Sequence, residues 1–129
     1  MRLNKATHYG LYAALEMARR EGDEAVTVAE VASRYELPEG VLAKAFQQLA
    51  RAGIALGTRG VGGGYRLAGE ASELSVLDVI DALESSPRAD AGTGAFPPAA
   101  RGLQRLFTEV DELARTTFAS TSLETLARG

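Results

Sequence analysis

The residues most able to do chemistry are not catalytic ones. They form the stretch Arg59-Gly60-Val61-Gly62-Gly63-Gly64-Tyr65-Arg66-Leu67, in which four of nine residues are glycine and an arginine stands on either side of the cluster. Glycine permits positive φ and lets backbone approach another surface closely. Arginine is a fixed cation whose fork of donors suits anionic oxygens and narrow clefts. Such a set could cradle a nucleotide phosphate, enter the minor groove of DNA, or simply turn a hairpin. A phosphate cradle needs a helix starting directly after the glycines. Here Tyr65-Arg66-Leu67-Ala68-Gly69 alternates and stops at glycine, and no Gly-Lys-Ser/Thr ending follows. The short apolar runs on either side, Ile54-Ala55-Leu56 and Tyr65-Arg66-Leu67, predict a β-hairpin instead. A slim hairpin tip bearing arginine suits a narrow, negative groove.

Enzymatic chemistry finds little to work with. The chain has no cysteine and one histidine, His8. Disulfides, thiolate catalysis and cysteine-held clusters are excluded, and no Ser/His/Asp arrangement or metal set is present. His8 alone cannot form a metal site; a DNA contact, a pH-sensing group and an ordinary surface residue are all open to it.

The elements that must position the hairpin can be read in order. Asn4 is a candidate N-cap, and Leu11, Ala14, Leu15 and Ala18 give one helical face over about residues 4–20. Thr27-Val28-Ala29-Glu30 is a capping box that opens a two-turn helix. Pro38 suits the first turn of the next helix. That helix buries Leu42, Ala45, Phe46 and Leu49 and ends at Arg51-Ala52-Gly53. Its outward face carries Glu39, Gly40, Ala43, Lys44, Gln47, Gln48 and Arg51, either a solvated face or one able to reach bases and phosphates. Helix, helix-turn-helix and then hairpin is the layout of a winged helix. Ser75-Val76-Leu77-Asp78 starts a further capped helix with Val76, Ile80 and Leu83 inward. Residues 85–100 read as a loop of turn formers and small residues. Beyond it, Leu103, Leu106, Phe107, Val110, Leu113, Ala114 and Phe118 recur at nearly heptad spacing. A helix with that stripe needs cover, from its own core or from a second copy.

The chain has 129 residues and net charge −3, enough for one domain with a core of its own. The negative balance argues mildly against nucleic acid, but its distribution softens the objection. Residues 1–68 carry nine basic and seven acidic residues, and residues 69–129 carry five and ten. The basic excess sits with the hairpin. No apolar run approaches the ~20 residues of a membrane span. The start shows no signal-peptide pattern, so a cytoplasmic protein is expected.

The run Leu49…Ala52-Gly53-Ile54…Arg59-Gly60-Val61-Gly62-Gly63-Gly64-Tyr65-Arg66-Leu67-Ala68 resembles the wing motif of the Rrf-two family. These are bacterial winged-helix regulators that include iron–sulfur, nitric-oxide and cysteine-metabolism sensors. Tyr9-Gly10-Leu11-Tyr12-Ala13, the helix at Leu74–Glu84 and the tail at Thr121–Ala127 are similar too, so only residues 85–100 fall outside the likeness. The resemblance implies a mostly α fold with a small β-hairpin wing. A winged helix-turn-helix DNA-binding domain would span 1–84, a flexible loop 85–100, and a long C-terminal dimerisation helix with its tail 101–129. It implies a homodimeric, sequence-specific transcriptional regulator, expected to be a repressor, with double-stranded DNA as partner and a small-molecule effector as an open addition. Arg2, Lys5, Thr27 and Arg51 would hold phosphates. Glu39, Gly40, Lys44, Gln47 and Gln48 would face base edges, and Arg59 with Gly60 would enter the minor groove. The seven stripe residues would face the twin. The alternative is a winged-helix module for protein interaction or small-molecule sensing without strong DNA binding.

Two departures from the family pattern matter. Many members hold an iron–sulfur cluster on cysteines in the loop before the long helix. Here residues 85–100 contain no Cys, His or Glu, and Asp90 is their one acidic residue. A cluster-free member with no cofactor is therefore expected. The second departure is Gly40, Val41 and Ala43, standing where members often carry serine, an aromatic and Glu or Gln. That change implies a different operator.

Overall fold

The computed structural model describes residues 3–22, 24–59, 63–84 and 96–129. Six helices and one hairpin follow in chain order: α1 (Lys5–Arg19), α2 (Val28–Tyr35), α3 (Glu39–Arg51), β1 (Ala55–Thr58), β2 (Gly64–Leu67), α4 (Val76–Leu83), α5 (Arg101–Ala119) and α6 (Leu123–Arg128). Local chemistry explains most boundaries. Asn4 caps α1 by accepting from the Thr7 amide. Thr27 and Glu30 form both halves of a capping box on α2, and Ser75 and Asp78 do the same on α4. Glu36 ends α2 in the left-handed region at φ 55°. Pro38 stands one place earlier than expected, as the N-cap of α3 with extended backbone and no side-chain cap. The segment after residue 95 is also more helical than expected: Pro98–Ala100 form a 3-10 turn running straight into α5.

The core is built around α1, against which α3, α4 and α6 all pack. Leu42, Ala45, Phe46 and Leu49 of α3 are buried as the spacing requires, as are Val76, Val79, Ile80 and Leu83 of α4. On α1 the buried face shares Ala14 with the expected apolar stripe and otherwise runs beside it. It consists of Thr7, Gly10, Ala13, Ala14, Glu16 and Met17, while Leu11 and Leu15 are half-buried. Close helix contact selects small residues there: a Cβ on Gly10 would run into the Leu83 side chain.

β1 and β2 pair antiparallel, with Ala55 opposite Leu67 and Thr58 opposite Gly64. A third segment joins this sheet. Val26, fully buried, exchanges both main-chain hydrogen bonds with Tyr65 at 2.8 Å each. At the other end of the chain, residues 121–124 run back along the 71–76 segment. The Val76 amide donates to Thr121 O and the Leu123 amide to Leu74 O, both at 2.8 Å, and Leu123 is buried. The tail thus completes the core that α1 begins. Among the described residues no helix is long and apolar enough to cross a membrane.

Candidate nucleic-acid interface

Two rigid parts lie side by side. α2, the turn at Glu36–Pro38 and α3 make the helix-turn-helix. The hairpin is fixed beside α3 by the Tyr65 ring, which stacks on Phe46 at 4.7 Å between centroids. Gly64 is needed at the seam, because a Cβ there would overlap the Val26 carbonyl. The position of the wing is therefore set by the α3 core residue Phe46 and by the residue before the α2 cap.

α2 is held in turn by α1. Glu16 is only 2% exposed, and its carboxylate accepts from Arg19 at 3.0 Å, Arg34 at 2.9 Å and the Tyr35 hydroxyl at 2.7 Å. Burial pushes this carboxyl up, but the bonds from Tyr35, Arg19 and Arg34 outweigh it and leave the pKa below the ordinary carboxylate value. Burial and the neighbouring Glu16 push the Tyr35 phenol up. Tyr35 also stacks on Tyr12. Sequence reading missed this cluster, since a lone Glu in an apolar face shows nothing of partners supplied by another helix. A second polar knot ties α1 to α4: Thr7 donates to Glu84 at 2.7 Å, and Glu84 also accepts from the Asn4 amide.

The expected contact residues divide by what their side chains already do. Gly40, Lys44, Gln47 and Arg51 recur at helical spacing on α3 and are all exposed; Glu39 is exposed at its start and Gln48 half-buried. Lys44, Gln47, Gln48, Arg51 and Arg59 enter no ion pair or side-chain hydrogen bond among the described residues. Arg19, Arg20, Arg34, Arg115 and Arg128 are all ion-paired. Lys5 is exposed at the first residue of α1. Thr27 is committed elsewhere: its hydroxyl accepts the Glu30 amide and its own amide donates to Glu30. Arg2 and Gly60 lie outside the described residues. His8 is exposed on α1.

The long helix carries the other candidate surface. Leu103, Leu106, Phe107, Val110 and Leu113 are 45% to 64% exposed, and α5 contains no buried residue. Ala114 and Phe118, toward the end where α5 packs on α4, are half-buried. Arg115 and Asp81 join the two helices by a paired contact at 3.3 Å. Phe96 lies against Phe107 at 5.6 Å between ring centroids, a contact that sequence reading did not foresee.

A helix-turn-helix with a short antiparallel hairpin beside its second helix defines the winged helix-turn-helix class of regulators. Within that class the chain belongs to the Rrf2 family, whose profile, described as "Iron-dependent Transcriptional regulator", matches residues 3–129. It is 36% identical over 134 residues to BadM of Rhodopseudomonas palustris, covering 99% of this chain and 82% of BadM. It is 35% identical over 98 residues to the HTH-type transcriptional regulator IscR of Cereibacter sphaeroides, covering 74% of this chain and 63% of IscR. Other IscR proteins are matched over 50% of their length. The crystal structure of the oxidized form of Staphylococcus aureus CymR superposes with a TM-score of 0.82 at 27% identity, covering 100% of this chain and 98% of CymR. These relatives are transcriptional regulators, not enzymes.

The iron in the family description can be tested against the donor set. The chain supplies no thiolate at all and a single, exposed imidazole. Among the described residues no three of His, Cys, Asp and Glu gather in a metal-holding group. These residues do not fit a cysteine-held cluster.

Proposed function

We propose that the protein is a cytoplasmic homodimeric regulator, a repressor, that binds double-stranded DNA through α3 and the wing and needs no iron–sulfur cluster. The observation that carries this is the row of polar side chains, Lys44, Gln47, Gln48, Arg51 and Arg59, on α3 and at the wing, which have no ion pair or side-chain hydrogen bond among the described residues. A guanidinium or ammonium without an internal partner is free to meet phosphate or a base edge. Lys44, Gln47 and Gln48 face the major groove. Arg59 enters the flanking minor groove, with Gly60 giving it room. Lys5, Arg51 and Arg2 hold phosphates. Domain roles follow: residues 1–84 read DNA, 85–100 connect, and 101–129 pair with the twin.

The exposed stripe from Leu103 to Leu113 supports the dimer, because a soluble chain rarely leaves so many large apolar residues on one helix uncovered. Charge supports an antiparallel pairing. Arg101 and Arg105 occupy the first half of α5, and Glu109 and Glu112 follow at helical spacing on the same side. Antiparallel twins set basic against acidic ends, whereas parallel twins would set like against like. Two-fold pairing predicts a near-palindromic operator with half-sites ~34 Å apart or a multiple of that.

Sequences selected from random DNA by the purified protein, followed by fluorescence-anisotropy titration across salt, test the reading. A steep fall in affinity with salt and a palindromic consensus are expected. Weak binding with a flat salt dependence and no consensus would refute it. A second reading, a small-molecule-sensing or protein-interaction module, is favoured by a cleft of about 650 Å³ between the end of α3 and α4. Gln48, Arg51, Ile54, Leu74, Asp78 and Asp81 line it. That reading gains if DNA binding fails.

A further inference from the structure

We propose that Thr58 is a positioning residue for the wing: its hydroxyl closes the neck of the hairpin and thereby aims Arg59. The inference rests on the reading of Arg59 as the minor-groove residue.

The two strands of the wing are anchored very unequally. β2 is fixed to the body by the double bond of Tyr65 to Val26, the stack of Tyr65 on Phe46 and the close seat of Gly64 on the Val26 carbonyl. β1 is buried only at Ala55; Leu56, Gly57 and Thr58 are exposed. The outer half of β1 is therefore held by its pairing with β2 alone. The last pair is the weakest place for that, because Thr58 faces a glycine, which offers no side chain to pack across the ladder.

Thr58 offsets this with its own side chain. Its hydroxyl accepts the Gly64 amide hydrogen at 2.8 Å and donates to the Gly64 carbonyl at 3.2 Å. One hydroxyl thus uses both of its functions on the two main-chain groups of one residue. Gly64 sits against the Val26 carbonyl and its neighbour Tyr65 is bonded to Val26, so the link ties the free strand to the anchored one at the point where the ladder ends.

Arg59 is the next residue. It is exposed and has no partner among the described residues, so the direction in which it leaves the strand is inherited from Thr58. With the clamp intact, the five residues 59–63 connect the strands; without it, Thr58 joins the connection. Ordering that extra residue on DNA then falls on the binding step. The clamp is exposed, so its effect on global stability is small, whereas its effect on where Arg59 points is direct.

Thr58→Val keeps the shape and strand preference of the side chain and removes the hydroxyl; Thr58→Ser keeps the hydroxyl. These variants, Arg59→Ala and the double variant Thr58→Val/Arg59→Ala are titrated by anisotropy on a duplex selected by the wild-type protein. Thr58→Val should bind roughly three- to tenfold more weakly, the fold-change of about one net hydrogen bond, and Thr58→Ser should bind nearly as wild type. In the Arg59→Ala background Thr58→Val should add less than about twofold, because a residue acting through Arg59 has nothing left to aim. Equal losses with and without Arg59, or wild-type affinity for Thr58→Val beside a weak Arg59→Ala, would overturn the positioning role while leaving DNA reading intact. Wild-type affinity for Arg59→Ala would overturn the underlying reading and this proposal together. If Thr58→Val melts more than a few degrees early, Thr58→Ala supplies the same cycle.

Discussion

Replacing Gly64 by alanine tests whether the wing is one body with the helix-turn-helix. The added methyl overlaps the Val26 carbonyl, which is backbone and cannot swing aside. Relief requires β2 to lift from Val26, and this lengthens or breaks the two 2.8 Å bonds between Val26 and Tyr65. A net main-chain hydrogen bond is worth about 0.5–1.5 kcal/mol, so losing two costs roughly 1–3 kcal/mol. Val26 is fully buried, which places the value toward the upper end because its amide and carbonyl are left dry. For a chain of this size each kcal/mol shifts the melting temperature by ~3–5 °C, so a loss of about 2–3 kcal/mol should lower it by roughly 6–15 °C by calorimetry. Gly69→Ala is the control. Nothing lies within 4 Å of its added carbon and its φ is not positive, so it should be neutral or slightly stabilising. DNA affinity should drop with Gly64→Ala and not with Gly69→Ala. A Gly64→Ala protein that melts and binds like wild type would show that the wing tolerates displacement, and the rigid-body argument would fail.

Three other outcomes follow from the same geometry. Arg59→Ala should weaken specific binding by ~1–3 kcal/mol in a gel-shift titration, with melting unchanged. Leu106→Asp, alone or with Leu113→Asp, should convert a dimer to a monomer in sedimentation velocity at micromolar protein and weaken operator binding in step; a stable dimer would exclude this stripe as the interface. Glu16→Gln should lower stability by roughly 1–3 kcal/mol, since the charge-assisted bonds to Arg19 and Arg34 are lost. The same carboxyl has a native pKa below its ordinary value. Its contribution is therefore full above the ordinary carboxylate range and disappears as pH falls through the native value. Urea midpoints measured from pH 7 downward should fall less steeply in Glu16→Gln than in wild type.

Legibility in the sequence followed the range of each signal. The boxes Thr27–Glu30 and Ser75–Asp78 span three residues, so both caps could be read directly and both form. The α3 stripe and the hairpin are likewise local. The Rrf-two resemblance, carried by the wing motif, agrees with the profile match over residues 3–129. The buried face of α1 was only partly legible. Ala14 stands on the expected face and is buried, whereas Thr7, Gly10 and Glu16 are buried without having been expected, because hydrophobicity alone ranks them low. Val26 could not be recognised as a strand partner, because a single bridging residue has no period. The clamp from Thr58 to Gly64 depends on register, and the Glu16 cluster on the meeting of two helices. The polar face of α3 was readable as a face.

The return of α6 to α1 has a consequence for the helix before it. The last part of α5 is a span seated at both ends: Arg115 pairs with Asp81 of α4, and four residues after Ala119 the chain is locked beside Leu74. Each residue inserted into such a span turns its exit by ~100° and advances it by ~1.5 Å. Length and phase are thereby coupled. A length change between Arg115 and Ala119 must therefore come as a near-whole turn, or the last helix loses its seat.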